Sequence, residues 1–123
     1  MNIGQDTQVE RAILGDLDAL SALLAEHGPP IAARLSTQIQ SIYRGLLDAE
    51  DVMQVTYLEA FLRIGSFTNR GPEAFQVWLA QIATNNLRDA IRELERQKRP
   101  PADRRIVADV IEEKVGKRPD MSG

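Results

Sequence analysis

The chain has no cysteine, one histidine, one tryptophan and only 5% aromatic residues in 123 positions. Without thiols there is no disulfide framework or thiolate metal site, and nothing points to an oxidising compartment. His27 stands alone, so the His pairs of zinc enzymes are missing, as are a cysteine nucleophile, a glycine-rich phosphate loop and an HExxH arrangement. The chain is therefore expected to bind rather than catalyse, with no metal and no cofactor. The acidic group Asp48, Glu50 and Asp51 reads as a solvated helix start rather than a cation site. No apolar run approaches the roughly 20 residues that cross a bilayer, and no signal peptide pattern is visible. A cytoplasmic protein without a membrane partner is expected.

Bulk positive charge is also lacking. The formal net charge is −3 and the pI about 5.2, which argues against a protein that coats nucleic acid by electrostatics alone. The charge is uneven, however. Residues 1–69 hold nine acids and four bases, whereas residues 70–123 hold eleven bases and nine acids. Any contact with a polyanion must be local and lie in the second half.

Helical periodicity dominates and strand signals are nearly absent, so an all-α bundle of about five helices is expected. Asp6 and Thr7 offer N-caps for a first helix that Gly15 can end, and Asp16 can cap the second. Gly28-Pro29-Pro30 reads as the stop of that second helix, with a third over about Ile31 to Leu47. Asp48 caps a fourth helix that Gly65 ends, and Gly71-Pro72 starts a fifth that reaches Arg96. Residues 1–96 thus form one domain. Residues 97–123 form a linker or tail, broken at Pro100-Pro101, with a short detached helix between Ala102 and Val115.

The fifth helix separates two chemistries around its axis. Phe75, Trp78, Leu79, Ile82, Ala83, Leu87, Ala90, Ile91 and Leu94 form a drifting apolar stripe that reads as core. Opposite it, Gln81, Asn85, Arg88 and Arg92 recur at helical spacing, with Arg96 one turn beyond. Amides and guanidiniums in such a row can read base edges or hold phosphates. Like charges at i, i+4 cost a helix about 0.2–0.5 kcal/mol per pair, which an external anion relieves. A solvated polar face, internally paired through Asp89 and Glu93, fits the same pattern.

The fourth helix is apolar on two sides. Met53, Tyr57, Ala60, Phe61 and Ile64 form one arc, assigned to the core. Val55, Leu58 and Leu62 form a second, bordered by Asp51 and Gln54. The second arc suits either a docking surface with a polar rim or a neighbouring helix of the same bundle. The intervening loop, Ser66 to Gly71, offers small polar groups, Phe67 and Arg70, a set that suits capture of an extruded base or an ordinary polar connection with Phe67 folded inward.

Residues 9–96 resemble region 2 of bacterial RNA polymerase sigma factors, specifically the extracytoplasmic function (ECF) type. VERAILGDLDALSALLAEHGPPI is similar to the family's first helical pair. DAEDVMQVTYLEAF resembles the family's DAEDLVQETFLRAW, and FQVWLAQIATNNLRDAIR resembles FRAWLYRIARNLALDHLR. The resemblance implies that Asp51, Gln54 and Leu58, with Glu50 and Tyr57 nearby, dock on the β′ clamp helices of core RNA polymerase. It implies that Asn85, Arg88 and Arg92 meet the promoter −10 element, and Gln81 and Arg96, which share their row, are expected to contact DNA with them. Thr68, Asn69 and Arg70 would hold a base flipped from its non-template strand, while Trp78 would be core.

Several positions depart from the family. Val55 replaces a usual Glu, Thr84 replaces a common Arg, and Gln81 and Ile82 stand where primary sigma factors carry a tryptophan pair. Strand opening is then expected to rest on the loop. The family normally carries a second helical domain that binds the −35 element, so the sequence is expected to be a fragment whose linker begins at Pro100. A competing reading is a sigma-like interaction protein that occupies an anti-sigma factor or the polymerase without reading DNA.

Overall fold

A computed structural model describes residues 3–97, with side chains from Thr7 onward. The expected tail therefore lies outside the described residues apart from Gln97, as does the helix expected between Ala102 and Val115. Among the described residues there are four α-helices and no strand: α1 (Ile3–Ile13), α2 (Leu17–Gln38), α3 (Ala49–Arg63) and α4 (Ala74–Arg96), with short 3-10 turns at Ser41–Tyr43 and Ile64–Ser66. The all-α expectation holds, with one helix fewer.

The difference arises at Gly28-Pro29-Pro30, through which α2 continues unbroken. The two prolines deprive the carbonyls of Ala25 and Glu26 of their N–H partners, which ordinarily breaks a helix. Here Leu24, His27, Gly28, Ile31, Ala32 and Leu35 make one buried stripe across the site, with both prolines on the exposed side. Burial on both flanks, at roughly 1.5–3 kcal/mol per large aliphatic side chain, outweighs the local penalty. Gly28 lets α3 pack close, because a methyl group there would overlap the Tyr57 hydroxyl and force that ring to move.

The helix expected to run to Leu47 instead stops at Gln38. Ile39 is extended, and apart from the 3-10 turn at Ser41–Tyr43 the chain to Asp48 is irregular, anchored by buried Ile39, Tyr43 and Leu47. Those apolar residues pin a loop rather than form a helix face. Asp6 and Thr7 lie inside α1, not at its start. The helix begins earlier than their capping chemistry suggested.

The signals at Gly15, Asp16 and Asp48 act as expected. Gly15, at φ +108°, follows α1, and its N–H bonds the Ala12 carbonyl at 3.0 Å while the Asp16 N–H bonds the Arg11 carbonyl at 2.9 Å. This double closure satisfies the last carbonyls of the helix. Asp16 then caps α2 by accepting from the Ala19 N–H at 3.1 Å, and its other oxygen meets Arg11 Nε at 3.0 Å. Asp48 caps α3 by accepting from the Asp51 N–H at 2.9 Å. Pro72 falls in the turn before α4 rather than at its first position, with Gly71 at φ +140° leading in.

Helix α2 lies against α1, α3 and α4, and α3 packs along α4. The core between them contains Leu20, Leu23, Ile31, Leu35, Met53, Phe75 and Leu79. It fixes the rotation of α3 and α4, and with it which of their side chains face outward.

Candidate nucleic-acid and protein interface

On α3 the buried residues are Ala49, Val52, Met53, Val55, Thr56, Glu59 and Ala60. Val55 is therefore core, at 3% exposure, as the neighbouring-helix alternative for its arc allows, and Phe61 is surface, at 40%, which overturns its assignment to the core. The arcs were drawn a fraction of a turn off because α3 is covered by α2 and α4 together, so its buried face is wide. The outward side carries Glu50, Gln54, Leu58, Phe61 and Leu62, with Leu58 at 44% and Leu62 at 56% exposure. Gln54, Leu58, Phe61 and Leu62 follow at i, i+4, i+7 and i+8, one apolar strip with a polar upper end.

Asp51 is half-buried at the top of this strip. Burial raises its carboxyl above the ordinary 3.8, reinforced by the neighbouring negative charges of Asp48 and Glu50. Tyr57 points its hydroxyl toward Gly28 of α2, and burial followed by the charge of Glu50 raises its phenol. It thus borders the strip rather than forming part of it. Arg63 Nη1 meets the buried Glu59 carboxylate at 2.8 Å, closing the lower end of α3.

Helix α4 buries Phe75, Leu79, Ile82, Ala83, Leu87, Ala90 and Leu94, while Trp78 and Ile91 pack half-buried against the same core. Asn86 is also buried, which the apolar stripe did not suggest. Its Nδ2 donates to Thr56 Oγ1 at 3.2 Å. The opposite face is open: Gln81, Asn85, Arg88, Arg92 and Arg96 are all exposed. Gln81 Nε2 donates to Asn85 Oδ1 at 3.4 Å. Arg92 pairs with Asp89 at 3.2 Å and Arg96 with Glu93, yet both guanidinium side chains remain 72% exposed. Among the described residues Arg88 has no ion pair.

The loop before α4 turns Phe67 inward. Its ring lies 5.0 Å from Trp78 and 6.1 Å from Phe75, the latter edge-on, so it forms a wall and is not a free stacking platform. Thr68 and Arg70 are exposed. Asn69 is held, with Oδ1 accepting from the Gly71 N–H at 3.3 Å and Nδ2 reaching Glu10 of α1 at 3.5 Å. Between this loop and the first turn of α4 lies an open hollow of about 770 Å³, bounded by Phe67, Thr68, Arg70, Val77 and Trp78 among others. Val77, 63% exposed, lines this hollow together with Thr68 and Arg70 and stands one turn before Gln81 on α4, an apolar step between the loop and the polar ridge. Sequence inspection missed Val77 because a lone valine on a polar face carries no signal.

Residues 25–97 match the family model described as Sigma-70 region 2. The chain is 31% identical over 94 residues to the ECF RNA polymerase sigma-E factor of Escherichia coli (strain K12), covering 76% of this chain and 44% of that protein. It is 32% identical over 108 residues to the ECF RNA polymerase sigma-E factor of Haemophilus influenzae, covering 88% of this chain and 52% of that one. The chain spans about half the length of these curated relatives. No solved structure matches. By the match across most of its described helices, the chain belongs to the sigma-70 region 2 family.

Proposed function

We propose that this chain works in transcription initiation as the region 2 module of an ECF-type sigma factor. Helix α3 docks on the β′ clamp helices of core polymerase through Gln54, Leu58, Phe61 and Leu62, with Glu50, Asp51 and Tyr57 at the margin. The loop and α4 recognise the −10 element and help hold it open. A base flipped from the non-template strand enters beside Thr68, Asn69 and Arg70. Gln81, Asn85, Arg88, Arg92 and Arg96 then follow the backbone and neighbouring bases.

The observation that carries this reading is the division of labour between two exposed faces. An apolar strip lies on α3, and a ridge of amides and guanidiniums on α4 includes an Arg88 without an ion pair among the described residues. Apolar strips with polar rims suit protein partners. Cationic ridges next to an aromatic-walled hollow suit unpaired nucleic acid. Nothing in the proposal requires bond making by the chain.

A photoreactive side chain at Asn69, in the complex with core polymerase and promoter, tests it. The expected product is a crosslink to one base of the −10 non-template strand. Crosslinks confined to duplex DNA, or to protein alone, contradict it. A second reading, a sigma-like protein that binds an anti-sigma factor or polymerase without reading DNA, draws support from the Arg92–Asp89 and Arg96–Glu93 pairs. Under that reading no base is labelled although polymerase is bound.

A further inference from the structure

Between α2 and α3 the chain makes a tightly bonded turn that is anchored inward and apolar outward. Tyr43 and Leu47 are buried, whereas Ile42 is 63% and Leu46 45% exposed. The N–H groups of Leu46 and Leu47 both bond the Tyr43 carbonyl, at 3.0 and 3.1 Å, with Gly45 at φ +91° in the turn. The Tyr43 hydroxyl donates to the Glu95 carboxylate in the last turn of α4. The exposed apolar pair therefore stands beside the point at which the chain leaves α4. We infer that residues 106–113 of this same chain seat on the turn, with their apolar side on Ile42 and Leu46 and an acidic flank on Arg44.

Three features support it. The first is the tether. Glu95 touches Tyr43, and the stretch from Gln97 to Ile106 spans at most about 32 Å, so the segment meets the turn at a high effective concentration. The second is spacing. Ile106, Val107, Val110 and Ile111 fall at i, i+1, i+4 and i+5, one helix face. A helix this short draws its stability from packing such a face rather than from propensity, and Ile42 with Leu46 supply apolar ground for it. The third is charge. Arg44 is exposed between the two apolar residues and has no ion pair among the described residues. Asp109 and Glu113, at i and i+4, line one edge of the apolar face and complement that guanidinium.

The chain has no cysteine, so Leu46→Cys with Val110→Cys gives the full chain two thiols and no others. Leu14→Cys with Val110→Cys is the control. Leu14 is 85% exposed and precedes α2, whereas the turn follows it, and a helix of 22 residues is about 33 Å long. Leu14, Arg44 and Leu46 are all exposed, so their substitution leaves the fold intact. Under mild oxidation in dilute solution the Leu46 pair is expected to close as an intramolecular disulfide at least about tenfold faster than the control. Adding Arg44→Glu should slow that closure about threefold, and adding Asp109→Arg and Glu113→Arg to this variant should restore it. Equal rates for the two pairs overturn the inference, as does a rate that Arg44→Glu leaves unchanged. A disulfide-linked dimer in place of the closed monomer also overturns it, since the occupant is then a second copy.

Discussion

Asn86 on α4 donates through Nδ2 to Thr56 Oγ1 on α3 at 3.2 Å, and the same hydroxyl donates to the Val52 carbonyl at 2.8 Å. Both side chains are fully buried. This short polar relay fixes the rotation of α4 against α3, and hence the angle between the apolar strip and the cationic ridge.

Replacing Thr56 with Val keeps the shape and orphans the Asn86 amide, a loss of about 1–3 kcal/mol. For a domain of this size each kcal/mol lowers the melting midpoint by about 4–8 °C. The double variant Thr56→Val, Asn86→Leu should regain part of that loss, because both polar partners are then gone. Thermal melts of the three proteins check this, and a double variant less stable than the sum of the singles contradicts it.

Pro30→Ala restores a donor for the Glu26 carbonyl in the middle of α2. The gain in helix formation, about 3 kcal/mol, is offset by roughly 1 kcal/mol of unfolded-state entropy. Denaturant unfolding should show higher stability, whereas a loss would mean that α2 bends there.

Asp51 is raised by burial and by its acidic neighbours, so its ionisation opposes folding. Asp51→Asn should be the more stable protein at about pH 7, with the difference fading as pH falls to about 3, where the wild-type carboxyl is protonated. Polymerase affinity should fall in the same variant. Asp16 behaves oppositely. The Ala19 N–H, then Arg11, lower its carboxyl below 3.8. It therefore stabilises above that value, and the advantage over Asp16→Asn disappears as pH falls through the lowered range. Melts across pH decide both signs.

Trp78 is the chain's one tryptophan and lines the hollow beside Thr68 and Arg70. A single-stranded −10 oligonucleotide added to the polymerase complex should change the emission contributed by Trp78, measured as a difference against Trp78→Phe. An unchanged difference would place the strand elsewhere.

Much of this was legible from residue spacing. The two faces of α4 and the cap at Asp48 follow from local chemistry that tertiary packing reinforces. The prolines misled because Leu24 and Ile31 are buried on either side of them, a fact no local pattern contains. Phe61 was misplaced, and the setting of Val55 left open, because α3 touches both α2 and α4, so its core face exceeds a single arc. The buried Asn86 was invisible because its partner, Thr56 on α3, is remote in sequence.

The most direct test of the account is promoter binding by Asn85→Ala, Arg88→Ala in complex with core polymerase. Both residues are exposed, so the fold and polymerase affinity should be retained. The account predicts that discrimination between a −10 element and a scrambled one is lost and that the salt slope falls by about 0.7. Full discrimination with an unchanged slope would contradict it.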